Sequence, residues 1–325
     1  MKKLLSILLM AILVATLFSF AGCSKPETLK FGLGTYAYTE NVTPASGTKN
    51  GSMGVVSTIA AVLLSEDGKI VKCEIDCADT SLGFNVKGEF IAIPEFKTKY
   101  ELGKDYGMVA YGGAKKEWFE QVDAFEGVVV GKTIDEVKAL VANEGKGTDA
   151  VITAGCTIAI ADFVSALEKA VADAKESAAT AEDTLKIGVI SSQSGAVATD
   201  KAAGSNEVET TYTAVTTKDG KVTAAITDAY QAAVAFDAKG VATTKAADIA
   251  TKLEKGKDYG MVAYGGAKLE WFEQAAAFDA ELVGKTTDEI TALATADGKP
   301  NDALVTAGCT IGVSDMVKAA VKASK

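Results

Sequence analysis

One stretch of this chain occurs twice, and that duplication constrains its architecture more than any other feature. Gly103-Lys-Asp-Tyr-Gly-Met-Val-Ala-Tyr-Gly-Gly-Ala-Lys-Lys-Glu-Trp-Phe-Glu-Gln121 recurs as Gly256 to Gln274, with 18 of 19 positions identical; only Lys116 changes, to Leu269. Asp149 to Thr157 recurs as Asp302 to Thr310 with seven of nine identical, at the same offset of 153 residues. An offset of that size is a domain repeat, not a solenoid unit. Between Asp67 and Gly88, set against Asp219 to Gly240, only seven of 22 positions match. Drift is therefore uneven. Either shared folding constraints or a shared ligand site holds the two matched blocks. The expected organisation is one repeat at 29–172, a linker at 173–184 and a second repeat at 185–325, each folding separately.

Local signals set the expected elements. Val55 to Leu64 and Lys69 to Cys77 are β-rich runs joined through Asp67-Gly68, a hairpin signal repeated at Asp219-Gly220. A Gly-rich loop over Asp105 to Ala114 precedes a helix at about Lys115 to Phe125, where Trp118, Val122 and Phe125 share one face. Thr133 to Glu136 and Thr286 to Glu289 fit capping boxes opening further helices. Asp162 to Ala172 and Asp315 to Ala323 read as closing helices, and Ala172 to Thr184 as helix running into linker. The fold class expected is α+β: two similar tandem units, each an antiparallel sheet with packed helices.

Export is written at the N-terminus. Met1-Lys2-Lys3, an apolar run from Leu4 to Phe20 and Ala21-Gly22-Cys23 describe a secretory signal at residues 1–22. The last four residues of that stretch resemble a lipobox, which implies a diacylglyceryl group on Cys23 and a short tether over 23–28. Stable anchoring takes about two acyl chains, so the mature protein is expected on the extracytoplasmic face of a membrane.

Composition removes whole chemistries. The chain has no His and no Arg, which excludes His-based triads, His-ligated haem and guanidinium clamps on anions. No metal site is expected. The net charge of −10 argues against nucleic acid, whose affinity comes from neutralised phosphates. Cys73 and Cys77 fall four apart in an alternating run. That span is about 13 Å of strand, beyond the roughly 7 Å a disulfide tolerates, and Ala225 and Ala229 replace them in the second copy. Both read as core residues, and so do Cys156 and Cys309.

Asp149-Ala-Val-Ile-Thr-Ala-Gly-Cys-Thr157, followed by an amphipathic run, resembles the attachment motif of the FMN-binding domain family. In that family an Asp leads a Ser/Thr-Gly-Ala-Thr segment, and the final Thr carries FMN through a phosphoester. The hairpin at Asp67 to Ile70 resembles the same family's sheet. Cys-Thr stands here where the family has Ala-Thr, and Thr153 and Thr157 bracket the family's Thr position. The resemblance implies FMN on Thr157 and Thr310, with Thr153 and Thr306 as second choices and Asp149 and Asp302 leading the motif. It implies a flavin transferase as modifying partner and a membrane quinone oxidoreductase, or another redox protein, as electron partner. Independently of it, a Thr just ahead of a helix suits a phosphate, and Tyr106, Tyr111, Tyr259 and Tyr264 in the Gly-rich loops suit an aromatic lip over a planar ring. The alternative function is a non-catalytic surface lipoprotein using its tandem units for ligand binding or adhesion.

Overall fold

The computed structural model describes residues 27–325; the expected export signal and the expected lipid-bearing Cys23 lie outside them. Among the described residues, no helix is long and apolar enough to cross a membrane.

Each copy is built on an antiparallel sheet. In the first, β1 (Thr28–Thr43), β2 (Gly51–Leu64), β3 (Ile70–Cys77) and β4 (Thr80–Phe84) are joined by β5 (Lys175–Thr180), in the order β3-β2-β1-β5 with β4 also on β2. In the second, β6 (Thr184–Ala196), β7 (Gly204–Lys218) and β8 (Lys221–Phe236) pair in sequence order. A two-residue strand, β9 (Asp248–Ile249), crosses over to pair with β1 of the first copy. The hairpin signals hold: Asp219 and Gly220 both take positive φ, 52° and 74°, as a two-residue turn matched to strand twist requires. The first copy's hairpin differs in its return arm. Asp79 Oδ1 accepts from Ser57 N (3.2 Å) beside the break between β3 and β4, whereas β8 runs unbroken.

One face of each sheet carries helices. In the first copy these are α1 (Lys99–Leu102), α2 (Trp118–Val129), α3 (Ile134–Lys138), α4 (Asp149–Ala154) and α5 (Ala161–Ala172). The second copy repeats them as α6 (Lys252–Lys255), α7 (Trp271–Leu282), α8 (Thr287–Thr291), α9 (Asp302–Ala307) and α10 (Ser314–Ala323). Thr133 and Thr286 form the expected capping boxes. Helix α5 lies so close on β1 that a Cβ at Gly32 would come 1.9 Å from the Ala170 carbonyl oxygen. Gly188 under α10 is equally tight, 2.0 Å from the Ala319 oxygen. These helix faces bury Trp118, Val122, Phe125 and Phe163 on one side, and Trp271, Phe278, Leu304 and Met316 on the other.

The opposite faces of the two sheets bury each other. Phe31, Leu33, Val55, Ile59, Leu63 and Phe84 of the first copy share one core with Leu185, Tyr212, Tyr230, Val234 and Phe236 of the second. Phe84 stacks on Phe236 with centroids 4.6 Å apart, and Tyr230 Oη donates to Ser57 Oγ at 2.9 Å inside that core. The joint is reciprocal. Ala45 N donates to Gly240 O (2.8 Å) and Ala198 N to Gly88 O (2.7 Å). Lys169 pairs with Glu254 (2.6 Å) and Lys322 with Glu101 (2.5 Å). Each pair maps onto the other by exchange of copies, the self-complementary geometry of an isologous dimer inside one chain.

The result is four layers: helices, sheet, sheet, helices. The α+β class stands. Two readings from sequence do not fit. The segment taken as helix and linker, 173–184, instead supplies β5, with Phe31 opposite Lys175 and Lys30 opposite Glu176. The expectation that 29–172 and 185–325 fold apart meets a core built jointly by both, in which neither sheet's inner face is covered by its own copy.

Candidate functional site

The two matched blocks meet in space. Glu117, 6% exposed, turns its carboxylate into the Gly-rich loop and accepts from Met108 N (2.9 Å) and Val109 N (3.3 Å). Gln121, 1% exposed, donates from Nε2 to Lys116 O (3.1 Å), while its Oε1 accepts from both Thr157 N and Thr157 Oγ1 at 2.9 Å. Glu270, Gln274 and Thr310 repeat every one of these bonds. Satisfying buried polar groups this fully is a folding requirement, and it accounts for the low drift of these segments without a ligand.

The geometry places the threonines differently from expectation. Thr157 follows the end of α4, which Gly155 caps at φ 114°. A short turn over 158–160 separates it from α5, so it does not sit in the first turn of that helix. Thr157 and Thr310 are exposed, but their hydroxyls are engaged by glutamine. Thr153 and Thr306 lie exposed on α4 and α9, with Thr306 Oγ1 donating back to Asp302 O (2.8 Å). Asp149 and Asp302 open those helices and are exposed.

The tyrosines fall into two pairs by placement. Lys99 Nζ stands 5.4 Å from the Tyr106 centroid and 5.7 Å from that of Trp118, so one face of Tyr106 is occupied by a cation. Lys252 does the same between Tyr259 and Trp271, at 5.0 and 5.4 Å. Tyr111 and Tyr264 instead project at the loop tips, each 91% exposed, covering Gly107 and Gly260. Cys156 and Cys309 are fully buried, and burial pushes both thiols up to about 11, which fits core residues and not nucleophiles.

A larger opening than either of these loops offers lies elsewhere. A groove of about 960 Å³ runs along the joint of the two copies, between β1 and β5 on one side and β8, α6 and α7 on the other. Its walls are mostly apolar: Phe31 and Leu33 face Ala225, Ile226, Leu253 and Phe272. Such a size and lining suit a small-molecule site, typically about 300–1,000 Å³. At its foot Asp279 Oδ2 accepts from Thr227 N (3.0 Å), while Oδ1 is buried with no hydrogen-bond partner. Burial raises the Asp279 carboxyl to about 7, against the Thr227 hydroxyl and N–H, which lower it, while nearby Asp228 adds a smaller rise.

Sequence reasoning misses this site because its two walls come from different copies and 173–184, which holds β5, reads as linker in the sequence. The one available signal was the contrast between copies: Ala225, Ile226 and Ala276 replace Cys73, Glu74 and Asp123. No protein-family model, curated protein or solved structure matches the chain.

Proposed function

We propose that this protein is a lipid-tethered binding protein of the extracytoplasmic face, anchored through Cys23, whose ligand enters the groove between the two copies. The observation that carries the reading is the unpartnered Asp279 oxygen at the foot of an apolar groove. A buried polar atom without a partner costs about 1–3 kcal/mol, and a ligand that supplies one recovers it. Ala276 is exposed and lines the groove, so Ala276→Trp should block entry without disturbing the core. A panel of small apolar compounds that raises the melting temperature of the native chain, but not of Ala276→Trp, supports the reading. Equal shifts in both proteins refute it.

Electron transfer by FMN is the second reading. It is favoured by the equal placement of Thr157 and Thr310, exposed at the surface of both copies. A flavin transferase would join the phosphate to these hydroxyls, and the flavins would exchange electrons with a membrane quinone oxidoreductase or another redox partner. Coexpression with a flavin transferase should then add up to two FMN masses and a flavin absorbance. Thr157→Ala and Thr310→Ala should each remove one. Colourless protein of unmodified mass, with no flavin retained, excludes this reading.

A further inference from the structure

The two copies diverge most informatively around one carboxylate. In the first copy, Cys73, Glu74, Tyr100, Asp123 and Glu126 occupy the positions that hold Ala225, Ile226, Leu253, Ala276 and Asp279 in the second. In the first copy these side chains are polar and bonded: Tyr100 Oη donates to Asp123 Oδ1 (2.9 Å), and Glu126 Oε1 accepts from Ile75 N (2.6 Å). In the second copy the neighbours are smaller or apolar, yet an acid stands at 279 as at 126. The backbone bond is retained as Thr227 N to Asp279 Oδ2. The side chain is shorter by one methylene, and its second oxygen is left with no donor.

An acid among apolar neighbours, with one oxygen lacking a donor, is costly unless something outside the chain completes it. The groove supplies the route. Asp279 lines it, and with Oδ2 held by Thr227 N, Oδ1 is the oxygen left for a donor from outside the chain. The rim carries Asp173, Glu176 and Glu254 with Lys175 and Lys257, and Glu254 and Glu176 are already paired with Lys169 and Lys30, so Asp279 is the acid inside the groove left without a cation. A second carboxylate brought to this foot would stand beside Asp279 and near Asp228, two buried acids already raised by desolvation.

Resting on the groove as the binding site, we propose that its ligand is an apolar molecule bearing a single primary or secondary ammonium group, whose N–H donates to Asp279 Oδ1. The apolar body packs on Phe31, Leu33, Ile226, Leu253 and Phe272. Charge-assisted bonds of this kind are shorter and about twice as strong as neutral ones, and they set which end of the ligand points inward.

The test uses octylamine, octanol and octanoate, which share one chain and differ in head group, titrated into the full chain by isothermal calorimetry. Octylamine should bind at least tenfold more tightly than octanol, with octanoate weakest. Asp279→Asn keeps an oxygen for Thr227 N and should bring octylamine down to the level of octanol while leaving octanol unchanged. Ala276→Trp should abolish binding of all three, and melting curves without ligand establish that both variants are folded. Equal affinities for octylamine and octanol, an amine preference that survives Asp279→Asn, or a preference for octanoate would each overturn the amine assignment while leaving the groove as a site. Absence of binding by any of the three would overturn the groove reading itself.

Discussion

Glu126→Gln is expected to stabilise the protein at neutral and alkaline pH and to do almost nothing at pH 4. Glu126 lies on α2 against β3 and accepts from Ile75 N. Burial, then the neighbouring Glu74, pushes its carboxyl up to about 9 from an ordinary 4.5. In the unfolded chain it ionises near the ordinary value. Between these two values the folded state keeps a proton that the unfolded state has released, so stability falls as pH rises, by about 1.4 kcal/mol per pH unit. The contribution is whole below about pH 4.5 and is lost progressively as pH climbs through about 9. At pH 7 the full shift corresponds to about 3 kcal/mol, and partial exposure together with coupling to Glu74 brings the expected effect to about 1–2 kcal/mol. Glutamine keeps the acceptor for Ile75 N and removes the ionisation. Urea midpoints measured from pH 4 to pH 9 should show native and variant curves meeting near pH 4 and separating steadily above it, the variant higher. Parallel curves, or a variant weaker at pH 8, would refute the assignment of a buried, protonated Glu126.

The other acids with raised values should act in the same direction: Glu74 and Asp279 at about 7, and Asp76 and Asp228 at about 6, predict a native chain that melts higher at pH 5 than at pH 8, and an optimum above pH 8 would contradict this. Gln121→Ala removes the acceptor for Thr157 N and Oγ1 and the donor to Lys116 O; it should cost about 2–3 kcal/mol, with Gln274→Ala costing the same, read by chemical denaturation. Each half made alone exposes the inner face of its sheet, so separate expression of 29–172 and 185–325 should give little cooperative unfolding by circular dichroism, and two well-folded halves would show that the joint core is dispensable. Cys23→Ser should release the protein from membranes or block its processing, whereas unchanged membrane association with a normal mature N-terminus would refute the lipid anchor.

Much of the local structure was legible. Asp-Gly turns, Thr-x-x-Glu caps and the Trp118, Val122, Phe125 face are short-range patterns whose physics lies within a few residues, and the structure has them where the sequence predicts. The α2 helix begins three residues later than predicted because Glu117 serves as its N-cap and its carboxylate turns into the preceding loop. The strand β5 was not legible: Lys175-Glu-Ser-Ala-Ala-Thr180 carries helix formers and takes strand geometry only through pairing with β1, a case of tertiary context overriding propensity. The threonine geometry was not legible either, because Gln121, which engages Thr157, comes from the other matched block, 36 residues away.

The uneven drift between copies follows from the joint itself. The matched blocks lie on the outer helical side, where the same bonds within each copy are required twice. The divergent stretch, Asp67 to Gly88 against Asp219 to Gly240, forms β3 and β4 in one copy and β8 in the other. These strands meet unlike neighbours: Lys72 on β3 reaches the Asp183 carbonyl, while β8 faces the groove walled by β1 and β5. β5 makes the two surroundings different, since it lies on β1, and β6 pairs only with β7. Identical sequences on β3 and β8 would therefore fit only one of the two surroundings. The first copy meets its surroundings with larger and polar side chains, and the second lines a groove in which Asp279 stands where the first copy has Glu126.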